Sequence, residues 1–148
     1  MNVALLTGRK GSSMKDKNIR MLLGVPLAAY PCKAAIDSNI FDHMFCSSDS
    51  DELNSIAEGF NFKKIIRPKK LASDTAKHVD VIEHAIIEIE SDLGQIDTLT
   101  IMMANCPTIT KENLSKSYEI LKKNKNLNSI VPVIKNQDQH PFRARKVN

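Results

Sequence analysis

The sequence predicts a single α/β domain, a three-layer sandwich on a mainly parallel sheet, and three observations predict it. Short apolar runs at 3–6, 41–47, 63–67, 98–103 and 129–134 alternate with stretches of helical periodicity, the order expected of βαβ units joined by right-handed crossovers. The first run is continuously apolar, as in strands buried on both faces. The length, 148 residues with 42% hydrophobic and 26% charged, suits one soluble domain, 1–148, with a substantial core.

Residues 3–6 (Val3, Ala4, Leu5, Leu6) are too few for a helix and empty into a polar loop over 7–20, TGRKGSSMKDKNIR. Ligands of open α/β sheets sit beyond the carboxyl ends of the strands. The loop sets Arg9, Lys10, Lys15, Lys17 and Arg20 against one acid, Asp16. Its Gly8, Gly11, Ser12 and Ser13 let backbone N–H groups approach an anion closely. A polyphosphate site and a solvated basic turn both satisfy this composition, and the spacing is neither a Walker loop nor G-x-G-x-x-G.

Farther along, 26–38 is Ala-rich on a helical period, with Pro31 marking either the helix start or a kink. After the strand 41–47, Ser48, Asp49 and Ser50 form a turn able to cap a helix over 51–59. The strand 63–67 closes at Pro68. From Asp74 onward, Val79, Ile82, Ile86, Ile89 and Leu93 keep clean helical spacing, with Gly94 as the stop. The run 98–103 is the most hydrophobic strand candidate and is expected in the middle of the sheet. A second polar loop, 104–110, follows it, and Thr110 is placed to cap a helix whose inner face holds Leu114, Tyr118 and Leu121. A fifth strand is expected over 129–134, then an irregular stretch over 136–141.

Net charge is +4 with pI near 9.0. Beyond the first loop the basic residues cluster as Lys63, Lys64, Arg67, Lys69 and Lys70, and again as Lys135, Arg143, Arg145 and Lys146. The two Tyr and five Phe do not interleave with these clusters, so stacking on nucleic-acid bases is poorly provided for, and a small polyphosphate accounts for the charge as well. Cys32, Cys46 and Cys106 lack C-x-x-C spacing, against both a disulfide framework and a zinc site. Without a long apolar run or a charged leader, the expectation is a cytoplasmic protein with no membrane partner.

Taken together, these loops resemble the acylneuraminate cytidylyltransferase (CMP-sialic acid synthetase) family. That family has an A-R-x-x-S-K-G-x-x-x-K-N-[IL]-R loop followed by G-x-P-L; the chain has Gly8, Arg9, Lys10, Gly11, Ser12, then Lys17, Asn18, Ile19, Arg20, and later Gly24, Pro26, Leu27. The family's S-T-D is similar to Ser47, Ser48, Asp49. Its R-P-x-x-L-A-x-D-T is matched without a gap by Arg67, Pro68, Leu71, Ala72, Asp74 and Thr75.

The resemblance implies a nucleotide-diphospho-sugar transferase type of fold. It also implies a reaction in which the anomeric hydroxyl of an acidic sugar, sialic-acid-like or another 2-keto-3-deoxy sugar acid, attacks the α-phosphorus of CTP and releases pyrophosphate. Arg9 and Lys17 would be the catalytic cations. Arg9, Lys10, Gly11, Ser12, Asn18 and Arg67 would bind the nucleotide, and Asn105, His140 and Arg143 the sugar. Asp74 and Thr75 would build the loop and cap the next helix, and Asp49 would be a helix cap first and a ligand second. Mg²⁺ is implied as cofactor, without identified ligands in this chain, and a homodimer is implied for a complete chain.

The chain departs from the family pattern in three places. The first loop is one residue shorter, and the S-K-G lysine is replaced by Ser13 or lost. The family's Q-P-T-S-P-L-R is here Met103, Ala104, Asn105, Cys106, Pro107, Thr108, Ile109, which points to a sugar other than ordinary sialic acid. The family's dimerisation segment and late carboxylate pair lie beyond the point matching Asn148, so a truncated chain is expected. A nucleotide-binding remnant without turnover is the alternative from another class.

Overall fold

A computed structural model describes residues 1–10, 14, 16–73 and 75–133. Its centre is β1 (Asn2–Thr7), in which Val3, Ala4, Leu5 and Leu6 have no solvent exposure. Alternate side chains of β1 enter two separate cores: Ala4 and Leu6 one, Val3 and Leu5 the other. A strand apolar on both faces needs cover on both faces.

β1 pairs in parallel with β4 (His43–Ser48) on one side and β6 (Thr98–Met103) on the other, and β5 (Lys63–Ile66) extends the sheet beyond β4. The order is β5-β4-β1-β6. Leu5 lies opposite Phe45 and Ile101, and Thr7 opposite Ser47 and Met103. The first crossovers use α1 (Ala29–Ser38) and α2 (Asp51–Glu58), stepping outward from β1. α3 (His78–Leu93) must then return past β4 and β1 to reach β6, and a right-handed return requires the opposite face. Accordingly, α1, α2 and α4 (Lys111–Lys123) supply the core around Ala4 and Leu6, whereas α3 supplies Ala85 and Ile89 to the core around Val3 and Leu5.

The expected caps form at two helices: Ser50 Oγ accepts from the Leu53 N–H and Thr110 Oγ1 from the Asn113 N–H. Gly94 ends α3 at φ +87°. Pro31 falls in the first turn of α1, where its missing N–H has no intrahelical acceptor to lose, so it marks the start of the helix and not a kink.

Four expectations are corrected. α1 begins at Ala29, because 21–26 is a hairpin, β2 (Met21–Leu22) with β3 (Val25–Pro26), turning on positive-φ Leu23 and Gly24. α3 begins at His78, and Thr75 does not cap it: the Thr75 hydroxyl pairs with Ser73 Oγ at 3.3 Å inside a turn closed by Ala76 N–H to Ser73 O. β6 is an edge strand among the described residues, because β4 and β1 hold the two inner positions of the sheet and the apolar character of β6 is partly left outside on Ile101 and Met103. Residues 129–133 form no strand, with Val131 73% and Val133 87% exposed. β-branched composition favours extended backbone, but a strand exists only where a neighbouring edge accepts its hydrogen bonds. The rest of that expected strand, Ile134, lies outside the described residues.

No described helix is long and apolar enough to cross a membrane. Cys32 and Cys46 are buried in the core, where burial pushes both thiols up to about 12, while Cys106 is half-buried on the loop after β6. A thiol reagent at about pH 8 will therefore modify Cys106 in the native protein and reach Cys32 and Cys46 only after unfolding. Rapid native labelling of all of them would contradict the packing of α1 on β4.

Candidate functional site

The carboxyl ends of β1, β4 and β5 open on one side of the sheet, and the exit of β4 organises what leaves the other two. Ser47 is fully buried at that exit. Its carbonyl accepts the Gly8 N–H at 3.4 Å and also Arg67 Nη2–H, while its hydroxyl accepts Arg67 Nε–H at 3.3 Å. Two residues on, Asp49 Oδ1 accepts the Lys10 N–H at 2.9 Å. Asp49 is thus a clamp on the first loop and not a cap, since Ser50 caps α2.

The loop leaving β1 is tightly packed. A Cβ on Gly8 would stand 2.5 Å from Leu53 Cδ2 and 3.0 Å from both Ala104 Cβ and Asn18 Nδ2. Only glycine lets the chain pass between α2, the β6 loop and Asn18. Asn18 Nδ2 donates to the Arg9 carbonyl at 3.0 Å, and Arg9 Nη1 donates to the Ser73 carbonyl at 3.3 Å. Lys17 precedes Asn18 in a short 3₁₀ turn, Lys17–Ile19, entered through left-handed Asp16 at φ +55°. A small cleft is lined by Arg9, Lys10, Asp16, Asn18, Ile19 and Ser50.

Arg9 and Arg67 share one mouth. Burial lowers the pKa of the half-buried Arg67 guanidinium, the Asp49 carboxylate opposes that shift, and the Arg9 guanidinium adds to it. Arg67 remains cationic, since the guanidinium starts so high. The Arg67 guanidinium and the Lys10 backbone both meet Asp49, with the Arg9 guanidinium near Arg67, and such a cluster favours a multivalent anion that offers oxygens to forked donors.

Of the sequence-predicted residues, Arg9, Lys10, Asn18 and Arg67 come together at these strand ends, and Lys17 lies beside them in the 3₁₀ turn without a side-chain contact to them among the described bonds. Asn105 is half-buried on the loop leaving β6, next to the Ala104 that touches Gly8. Gly11, Ser12, Ser13, Lys15, Asp74, His140 and Arg143 lie outside the described residues. Sequence reasoning missed two residues. Ser47 looked like the end of a strand, although its place opposite Thr7 puts it at the centre of the mouth. His78 has no partner spacing for metal or nucleophile work in the sequence, yet its Nε2 lies 3.0 Å from Thr7 Oγ1. Neither role leaves a trace in local spacing, because each partner is tens of residues away.

Among the described residues no three His, Cys, Asp or Glu side chains converge as a cation site requires. The acid at the mouth, Asp49, is engaged by the Lys10 N–H. A magnesium ion carried by a nucleotide takes one or two carboxylates beside the phosphates, and Asp16 in the cleft and Asp49 at the β4 exit are the acids nearest the first loop.

A parallel sheet that reverses its strand order about β1, clad by helices on both faces and opening at its carboxyl edge on a glycine-containing cationic loop, makes an α/β sandwich. Its likeness to a solved structure of CMP:2-keto-3-deoxy-manno-octonic acid synthetase complexed with CTP, at a TM-score of 0.68 and 15% identity, supports that fold; the match covers 86% of this chain and 50% of that one. The chain belongs to the cytidylyltransferase family, which it matches over residues 3–148. It is 29% identical over 145 residues to N-acylneuraminate cytidylyltransferase A of Danio rerio, covering 97% of this chain and 32% of that protein. It is 32% identical over 120 residues to pseudaminic acid cytidylyltransferase of Campylobacter jejuni, covering 80% of this chain and 52% of that protein. The chain thus spans a third to a half of the length of these relatives.

Replacing Gly8 by Ala will force Leu53 and Asn18 aside, costing about 1–3 kcal/mol in urea or thermal unfolding. An unchanged midpoint would show that the loop passes α2 with room to spare.

Proposed function

We propose that this chain carries the nucleotide-binding part of an enzyme that transfers CMP from CTP to the anomeric hydroxyl of an acidic sugar and releases pyrophosphate. The observation that carries the reading is the shared mouth: Gly8, Lys10 and Arg67, which follow two separate strands, are held by Ser47 and Asp49 at the exit of a third, and Arg9 stands close enough to Arg67 to act on its charge. Attack of the sugar oxygen on the α-phosphorus forms one P–O bond as the bond to the β-phosphate breaks, and the negative charge that accumulates leaves with pyrophosphate. Catalysis of such a step is mainly positioning and charge stabilisation. Arg9 and Lys10, with the backbone at Gly11 and Ser12, are assigned to the departing phosphates. Lys17 and Asn18 are assigned to the α-phosphate and ribose side. Arg67 uses Nε and Nη2 on Ser47, which leaves Nη1 for an oxygen of the cytosine or its ribose.

The sugar class is inferred from the names of the relatives, and its carboxylate is assigned to Asn105 with His140 and Arg143. The divergent loop from Met103 to Ile109 favours an acidic sugar other than ordinary sialic acid. Magnesium, a homodimer and a cytoplasmic location belong to the same reading. A second reading, nucleotide binding without turnover, is favoured by the lack of a converging acid cluster among the described residues.

Calorimetry with CTP and with cytidine, followed by a pyrophosphate-release assay with magnesium and candidate sugar acids, separates these readings. Binding with release supports the transferase, binding without release supports the second reading, and no CTP binding removes both. Arg9→Ala will weaken CTP roughly 10- to 100-fold and cytidine by under about threefold, because the lost group is a charged phosphate donor. Equal losses for the two ligands would take Arg9 off the phosphates.

A further inference from the structure

The proposed site depends on two loops that are not joined by any strand pairing. β1 delivers Gly8, Arg9 and Lys10, β5 delivers Arg67 and the segment running to His78, and β4 lies between them. Ser47 and Asp49 hold both loops at the exit of β4 itself. At the start of α3 the connection is made by His78, whose Nε2 lies 3.0 Å from Thr7 Oγ1.

Thr7 is the last residue of β1 and is buried. Its hydroxyl also stands 3.4 Å from the Met102 carbonyl. A hydroxyl has one hydrogen, and a carbonyl can only accept. With that hydrogen on Met102 O, the lone pairs of Thr7 Oγ1 remain for an Nε2–H, so the imidazole is the donor. The Arg9 Nη1 bond to Ser73 O forms a parallel link a few residues earlier in the same segment.

The start of α3 gives this bond a second role. α2 and α4 are pinned by side-chain caps from Ser50 and Thr110, whereas α3, preceded by Lys77, has no side-chain cap bond. Its first residue is instead fixed by a tertiary hydrogen bond to the strand that launches the cationic loop.

We propose that His78 is a positioning residue of the nucleotide site: its Nε2–H donates to Thr7 Oγ1 and latches the 67–77 segment and the start of α3 onto the residue that precedes Gly8 and Arg9. For what the latched loops hold, the inference rests on the CTP reading above; the latch itself rests on the His78–Thr7 geometry. Loops already held in their bound arrangement avoid an ordering cost when the ligand arrives.

The test combines CTP calorimetry, thermal unfolding and ligand-free amide exchange at Lys10 and Ala76 on His78→Ala, His78→Gln, Thr7→Val and the Ala/Val double variant. His78→Ala and Thr7→Val will each weaken CTP about 3- to 10-fold, and the double variant no further. Both will speed exchange at Lys10 and Ala76, and His78→Ala will do so with little change in melting temperature, since His78 is exposed. His78→Gln, which retains a donor, will recover part of the affinity. Additive losses, or affinity and exchange that do not respond, overturn the latch. Exchange that responds as expected in a chain that does not bind CTP leaves the latch standing and removes the CTP reading.

Discussion

Everything at the mouth of this sheet depends on how the exit of β4 satisfies a guanidinium. Arg67 comes from the neighbouring edge strand and is half-buried, and an arginine in that position must find acceptors for its donors. Ser47 meets it with both hydroxyl and carbonyl, and the same carbonyl takes the Gly8 N–H. Asp49 then takes the Lys10 N–H and supplies the negative charge that lets two guanidiniums share a mouth.

The topology makes this convergence possible. β1 stands between β4 and β6, so its carboxyl end is the one point to which loops from β4, β5 and β6 can all reach. Gly8 is the constriction through which the first loop leaves, bounded by α2, Ala104 and Asn18. A side chain there would displace Asn18, which supports the Arg9 carbonyl. Packing and ligand geometry are therefore linked at one backbone position.

Much of the fold was legible in the residues. The continuous apolar run Val3 to Leu6 demanded cover on both faces and became the central strand. Ser50 and Thr110 were readable as caps because a cap is a local hydrogen bond three residues long. Two of the errors, at 98–103 and 129–134, are of one physical kind. The hydrophobicity of 98–103 did not say that β6 would lie at an edge, and the valines near 131 did not say whether an edge would be available to them. Strand position is a property of neighbours, and composition does not report neighbours.

The sequence alone determined the alternation of strands and helices, the cationic loop after the first strand and the Arg67-Pro68 string, because periodicity, charge and short motifs are local. Only the tertiary structure decided that Ser47 would be the common acceptor, that Asp49 would clamp the backbone and not cap a helix, and that His78 would bond Thr7 across 71 residues. Those bonds join groups far apart along the chain, and they exist only after right-handed crossovers have set four parallel strands side by side.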